Sequence, residues 1–241
     1  MQEIQETQTT QEPGILIGEM LLVPETVLPN GLVVPSFQVA KHHATRREDG
    51  TPWVNINYHE ARAAAERAGL QVITETQWLA LAHDIAQQPI NWTSGVVGEG
   101  KLFQGMRKGD MYEGDVDEVQ PRSYEPADAD ERRWHQLSNG ERIYDFAGHL
   151  FSWVFDDVQG DENGLIAKVF EVDSPSLTTA RGISYEQGAG WMPDAGADWS
   201  DLALCRGGYF SSDDHAGVFN LGDAWPGYED CFVGFRCTKR L

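Results

Sequence analysis

The C-terminal part of the chain alternates rigid and polar segments and reads CRGGYFSSDDHAGVFNLGDAWPGYEDCFVGFRCTK over residues 205–239. Glycine permits tight backbone turns, whereas Phe and Arg anchor loops by packing and hydrogen bonding. We therefore expect a scaffold that holds this segment in a fixed frame. The expected scaffold residues are Arg206, Gly207, Gly208, Ala216, Gly217, Phe219, Pro226, Gly234, Phe235 and Arg236.

Polar and aromatic residues lie between these scaffold positions. Tyr, Ser, Gly, Asp and Trp on loops combine rigid aromatic contact area with adaptable hydrogen bonding, which is typical of ligand-binding surfaces. The candidate ligand-binding residues are Tyr209, Phe210, Ser211, Ser212, Asp213, Asp214, His215, Asn220, Gly222, Asp223, Trp225, Tyr228, Glu229, Asp230, Cys231 and Phe232. The same composition also fits an acidic surface loop with a few buried aromatic residues, so composition alone leaves both interpretations open.

The charge of the chain argues against several partners. Its 38 acidic and 18 basic residues give a net charge of -20, which repels phosphate backbones and anionic lipid headgroups. The opening residues MQEIQETQTTQEPG lack the basic and apolar regions of an export signal, and no stretch approaches the ~20 apolar residues of a membrane helix. We expect a soluble protein that binds neither nucleic acid nor membrane.

Composition also predicts the domain organisation. Residues 1–13 are polar with almost no apolar anchor, so we expect a flexible tail followed by a single domain over residues 14–241. Cys205, Cys231 and Cys237 form neither a CxxC pair nor an even set. We expect free structural thiols, with a Cys205–Cys237 disulfide as the alternative.

Two helices and several strands are predicted. Asn57 is a plausible N-cap for a helix over residues 58–68, and Thr74 with Gln77 forms a capping-box pattern ahead of a helix over 75–87. Short apolar runs at 15–17, 20–23, 32–39, 71–73 and 143–158 predict strands, whereas the acidic stretch 109–133 predicts a solvated excursion. Helices early and strands late, without alternation, indicate an α+β fold.

Sequence motifs for catalysis or metal binding are missing. None of the seven His residues has another His four positions on, and GxSxG, GxxxxGK[ST] and GxGxxG motifs are absent. With Gly164 at the sixth position of a calcium loop, the first and twelfth ligands would be Gln159 and Phe170. We therefore predict a polar hairpin there, with an irregular calcium site as the alternative, and we name no catalytic residue, metal ligand or cofactor.

Five motifs in order carry a family resemblance. They are MLLVP at 20–24, VNINYHEARAAAERAG at 54–69, ITETQWLALA at 73–82, YDFAGHLFSWVFD at 144–156, and RGG with GFR near the end. Over nearly the whole chain after residue 14, this order resembles the formylglycine-generating-enzyme type of the C-type lectin fold. The resemblance implies an α+β domain with two helices and a small, irregular, mostly antiparallel sheet core.

Within that fold, the order RGG, polar run, AGVF, polar run, GFR is similar to the variable proteins of diversity-generating retroelements, including those carried by viruses of microbes. Such proteins bind ligands through a surface that is mutated at adenines, often in Asn codons. Full mutagenesis of the first two bases of an AAC-type codon can produce Tyr, Phe, Ser, Asp, His, Gly, Asn and Cys, but neither Trp nor Glu. Trp225 and Glu229 therefore fall outside this pattern, and we expect them to be fixed or to come from other codons.

Enzymes that share this fold bind metals through residues that this chain lacks. Formylglycine-generating enzymes hold copper through two cysteines shortly after RGG, whereas this chain reads YFSSDDHAG at 209–217. The His-x3-His-x-Glu pattern of the related sulfoxide synthases is absent, and the calcium motifs of sugar-binding lectins are replaced by EPA at 125–127 and QPI at 88–90. We expect no enzyme; an oxidase with a displaced metal site and a purely structural domain of a viral or surface assembly are the alternatives.

The resemblance thus implies a protein that recognises a macromolecular ligand. We expect a solvent-facing patch with exposed Tyr209, Phe210 and Tyr228 as anchors, and with Asp213, Asp214, Asp223 and Asp230 supplying polarity and charge. The expected partner is a protein with a basic or polar surface on a host or neighbouring cell. The expected location is a virus particle, or a surface that displays the chain through a partner.

Overall fold

The computed structural model describes residues 14–109, 119–180 and 182–241. The predicted tail at 1–13 and part of the predicted excursion at 109–133 lie outside these residues. Three α-helices occur in the described ranges, α1 (Tyr58–Arg67), α2 (Glu75–Ala86) and the short α3 (Pro175–Thr178). No helix in these ranges has both the length and the apolar character that crossing a membrane requires.

Two four-stranded sheets form the centre of the fold. The first contains β1 (Met20–Val23), β4 (Phe37–Ala40), β12 (Cys237–Arg240) and β5 (Gln71–Val72) in that order. The second contains β10 (Leu221–Ala224), β9 (Ala203–Arg206), β8 (Phe151–Val154) and β11 (Val233–Phe235). Two hairpins complete the set, β2 (Thr26–Val27) with β3 (Val33–Val34), and β6 (Trp134–Gln136) with β7 (Arg142–Tyr144).

The α+β prediction is confirmed, including its mostly antiparallel character. Within the described residues every strand pair of these sheets is antiparallel except β8 with β11. Both long helices lie within a residue of their predicted bounds, because their caps form as the sequence indicates. The Asn57 side chain accepts a hydrogen bond from the Glu60 amide, and the Thr74 and Gln77 side chains each accept from the other's backbone amide.

Helix α2 connects the core to the C-terminal segment. Trp78 is fully buried and stacks on Phe146 with ring centroids 4.0 Å apart. Its indole Nε1 donates a hydrogen bond of 2.8 Å to the Val218 carbonyl. A buried indole needs such a partner for its N–H group. The helix therefore fixes the backbone between the two polar runs of the C-terminal segment.

The polar run around Gly164 forms the predicted hairpin. Gly160 and Ile166 form an antiparallel bridge, and the Asp161 carboxylate accepts hydrogen bonds from the Asn163 and Leu165 amides. Gly164 has a φ of +71°, a left-handed conformation that glycine adopts readily. These contacts keep the turn closed with its own side chains.

Candidate ligand-binding surface

Arg206 holds one end of the C-terminal segment from inside the core. Its side chain has no exposed surface and forms a two-point ion pair with Glu75 at the start of α2, with 2.9 Å between Nε and Oε2. A further guanidinium N–H donates 2.8 Å to the Phe219 carbonyl. Paired guanidinium and carboxylate groups fix orientation as well as distance. One arginine thus ties the polar runs to α2.

The two glycines after Arg206 make a turn that other residues would not fit. Gly207 and Gly208 have φ values of +97° and +81°. A Cβ atom added to Gly208 would lie 2.7 Å from the Cα atom of Ala216. Since real Cβ atoms do not approach so closely, the RGG turn depends on glycine.

Arg236 holds the other end of the segment. It is fully buried, and its NH1 group donates 2.7 Å to the Ala40 carbonyl, while NH2 donates to the carbonyls of Tyr144 and Asp145. Burial lowers the pKa of Arg236 to about 10. Phe235 is also fully buried and meets Trp53 edge to face. All seven residues of the RGG, Phe219 and GFR set lie in the interior.

Several candidate ligand-binding residues face solvent. A 3-10 turn over Asp213–His215 is exposed at all three positions, and Asp223 and Glu229 are exposed as well. Trp225 is 61% exposed, which is unusual for so large an apolar side chain. Tyr209, Ser211, Gly222, Tyr228, Asp230 and Phe232 are partly exposed.

The prediction that Phe210 is an exposed anchor is wrong. Phe210 is 3% exposed and belongs to a small apolar cluster with Val119, Leu150 and Cys231. The Phe210 amide donates a hydrogen bond of 3.1 Å to the His149 carbonyl. Cys231, another candidate, is 8% exposed in the same cluster. Apolar packing therefore removes both side chains from the surface.

Ser212 and Asn220 are also buried, because they serve the backbone of the segment. The Ser212 hydroxyl accepts a 2.9 Å hydrogen bond from the Tyr209 amide. The Asn220 Nδ2 group donates to the His215 carbonyl at 2.8 Å and to the Trp191 carbonyl at 3.5 Å. The expectation of a fully solvent-facing set is wrong at these two positions as well.

An aromatic cluster brings the two polar runs together. The Tyr209 ring lies 4.7 Å from that of Phe232 and 5.4 Å from that of Phe151, and Phe232 lies 6.0 Å from Tyr228. The Tyr228 hydroxyl donates 2.8 Å to Asp230, and burial together with this carboxylate raises the pKa of Tyr228 to about 12. Tyr209 and Tyr228 thus present partly exposed, neutral rings.

An open cleft with a volume of ≈ 730 Å³ lies beside these runs. Its lining includes Tyr209, Asp213 and Asp223, which the sequence singles out, and also Tyr185, Trp191, Phe151 and Arg107, which it does not. A signal for two of the missed residues exists in the sequence. Tyr185 and Trp191 flank the Gly-rich loop YEQGAGW at 185–191, which has the same mixture of glycine and aromatic residues as the C-terminal segment.

The cysteines and acidic residues form no metal centre in the described ranges. No group of three or more His, Cys, Asp or Glu residues there is placed to hold a metal ion. All three cysteines are buried, and Cys205 and Cys237 are free thiols, so the alternative Cys205–Cys237 disulfide is not formed. Burial raises the pKa of Cys237 to about 12 and that of Cys205 further still, which keeps both thiols protonated at neutral pH.

The fold and site together define an α+β protein with a buried Arg and Gly frame beside an open aromatic and acidic cleft. No model of a known protein family and no curated protein matches the chain. In structure it is similar to PvdO from Pseudomonas aeruginosa, with 14% identity over 94% of each chain and a TM-score of 0.48. It is also similar to Treponema denticola variable protein 1, with 13% identity over 95% of this chain and 93% of that one and a TM-score of 0.48. CarF shares 9% identity over 94% of this chain and 99% of its own, with a TM-score of 0.49. All three likenesses are weak, so function has to rest on the chain's own residues.

Proposed function

We propose that this protein recognises a macromolecular ligand through the exposed part of residues 209–232, and that a retroelement diversifies this surface. The observation that supports this proposal is that buried frame residues and exposed residues are separated within one short segment. The frame residues Arg206 and Arg236 have no exposed surface, whereas Asp213, Asp223 and Trp225 between them face solvent. A frame of this kind lets surface residues change without loss of the fold.

The frame is held mainly by groups outside the segment. Arg206 is bound by Glu75 of α2, and Arg236 by backbone carbonyls of β4 and of the end of β7. Neither arginine depends on the side chains that face solvent. Substitutions on the surface therefore leave these buried contacts in place, which favours a diversified binding surface over a structural loop.

The burial pattern narrows the set of residues that a ligand can contact. Four candidates are residue types that mutation of an AAC-type codon can produce, but their side chains are buried: Phe210, Ser212, Asn220 and Cys231. Changes at these positions would affect packing before they affect binding. We propose that ligand contact falls on the exposed and partly exposed residues Tyr209, Ser211, Asp213, Asp214, His215, Gly222, Asp223, Trp225, Tyr228, Glu229, Asp230 and Phe232.

We propose recognition without catalysis. Copper chemistry of the formylglycine-generating kind needs two accessible thiolates after RGG, but residues 209–217 contain no cysteine, and Cys205 is buried as a neutral thiol. The enzyme alternative would regain support if the purified protein retained copper or iron in stoichiometric amount.

We propose that the ligand is a protein on a host or neighbouring cell, and that a virus particle or a cell surface displays this chain. The support is the acidic and aromatic character of the cleft and the net charge of -20, which suit a basic or polar protein surface better than a polyanion.

Sequencing the same locus in several isolates tests the proposal. We expect substitutions at adenine-rich codons of the exposed set, with Arg206, Gly208 and Arg236 unchanged, and a reverse transcriptase gene with an adenine-rich template repeat nearby. Trp225 and Glu229 should vary less than their neighbours. Substitutions scattered evenly over the chain, or an invariant segment, would refute diversification and favour a purely structural domain.

A further inference from the structure

The cleft beside the C-terminal segment is lined by aromatic rings from distant parts of the chain. Tyr185 and Trp191 are 39% and 42% exposed, and both line the cleft together with Tyr209. The Tyr185 ring lies 5.7 Å from that of His215. Exposed aromatic faces attract cations, and a planar guanidinium stacks on them especially well.

The cleft also contains carboxylates whose charge is not neutralised. The two cations of its lining are already paired: Arg107 lies 2.7 Å from Asp130 and 3.9 Å from Asp214, and Lys108 lies 2.6 Å from Asp128 and 2.9 Å from Asp130. Asp213 and Asp223 line the same cleft, and neither carboxylate has an ion-pair partner among the described residues.

Asn220, at the wall of the cleft, contains a buried acceptor that has no donor in the part of the chain that the structure describes. Asn220 lines the cleft and is 3% exposed. Its Nδ2 group is satisfied by two carbonyls, but its Oδ1 atom has no hydrogen-bond partner among the described residues. A buried acceptor without a donor is unfavourable. An N–H group that reached this oxygen would offset that cost.

We propose that the cleft binds the guanidinium group of an arginine side chain on the partner protein, with the rings of Tyr185, Trp191 and Tyr209 around it and the carboxylates of Asp213 and Asp223 as its counter-ions. This inference rests on the proposed recognition function and names the chemistry of the partner. Of the common side chains, only arginine offers five donors in a plane that both stacks on rings and pairs with carboxylates.

The backbone at Asp213 supports this assignment. Asp213 has a φ of +48°, in the left-handed region that non-glycine residues seldom adopt, and its amide donates 2.9 Å to the Arg107 carbonyl. Burial is the largest cause that raises the pKa of Tyr185 and of Tyr209, and the Asp213 charge adds to it in both cases. The turn thus presents an exposed negative charge at the wall of the same cleft.

Titration of the full chain with N-acetyl-arginine-N-methylamide tests the inference. The readout is the NMR signal of the Trp191 indole N–H, assigned with Trp191→Phe. The matched probes are the citrulline derivative, which replaces guanidinium by a neutral urea of similar shape, and the lysine derivative. Asp213→Asn with Asp223→Asn removes two charges from the cleft, and asparagine tolerates the left-handed φ. Glu162→Gln with Asp173→Asn removes two exposed charges elsewhere.

We expect a saturable shift with the arginine probe, and a dissociation constant about fivefold higher in the cleft variant, since exposed ion pairs contribute only modestly to affinity. The control variant should stay within about twofold of wild type. Equal weakening in both variants, equal binding of citrulline, or binding of lysine as tight as arginine would overturn the inference. An invariant locus would instead refute diversification and leave this titration unaffected.

Discussion

Replacing Arg206 by Met tests the frame on which the binding surface depends. Arg206 and Glu75 are both fully buried, so the substitution leaves the Glu75 carboxylate without its partner and the Phe219 carbonyl without a charged donor. Breaking a buried pair from one side costs about 3–5 kcal/mol. We expect a loss of that size in the free energy of unfolding.

Two further variants separate the ion pair from general damage. Arg206→Met combined with Glu75→Leu should cost less than the sum of the single changes, because no uncompensated charge remains in the core. Lys41→Met breaks the ion pair of Lys41 with Glu19, whose side chains are 23% and 57% exposed, and should cost about 1 kcal/mol or less.

Urea unfolding followed by tryptophan fluorescence measures the wild type, these three variants and Glu75→Leu alone. The midpoint and slope of each curve give the free energy of unfolding. If Arg206→Met lost no more stability than Lys41→Met, the segment would not be held by this arginine, and the fixed-frame interpretation would be refuted.

Two other predictions concern burial. Phe210→Ala should lower the free energy of unfolding by about 3–5 kcal/mol, because Phe210 is 3% exposed in an apolar cluster. Trp225→Ala should stay within about 0.5 kcal/mol of wild type, because the Trp225 side chain is 61% exposed. Similar losses for the two variants in urea unfolding would contradict these burial assignments. Burial, with the nearby Glu75 charge, raises the pKa of Asp156 to about 6, so its contribution to stability is present below pH ~4 and is lost as pH rises through 6. The free energy of unfolding of Asp156→Asn, relative to wild type, should therefore rise by about 1–3 kcal/mol between pH 4 and pH 7. A difference between the two proteins that does not change with pH would contradict this prediction.

The helices could be predicted because their signals are local. Thr74 and Gln77 meet across three residues, and Gly69 ends α1 with a φ of +73°. The RGG and GFR motifs likewise mark the buried frame, since glycine at a left-handed turn and a buried arginine both leave a clear trace in the sequence.

The exposure of single residues in the segment could not be predicted. Phe210 and Tyr209 are neighbours with the same aromatic character, yet Phe210 packs against Val119 and Leu150, which lie 91 and 60 positions earlier in the chain. Residues in an irregular loop have no period that assigns them to one face. For the same reason the sequence did not link Tyr185 and Trp191 to the cleft, or Glu75 to Arg206.

A comparison of two libraries tests most directly whether the surface can vary while the frame stays fixed. One library randomises the exposed residues Asp214, His215, Asp223, Trp225 and Glu229, and the other randomises the buried residues Arg206, Phe210, Phe219, Asn220 and Arg236. The measurement is the fraction of members that resist protease as well as the wild type does. We predict that most members of the first library and few of the second will do so, and equal fractions would contradict a separable frame and binding surface.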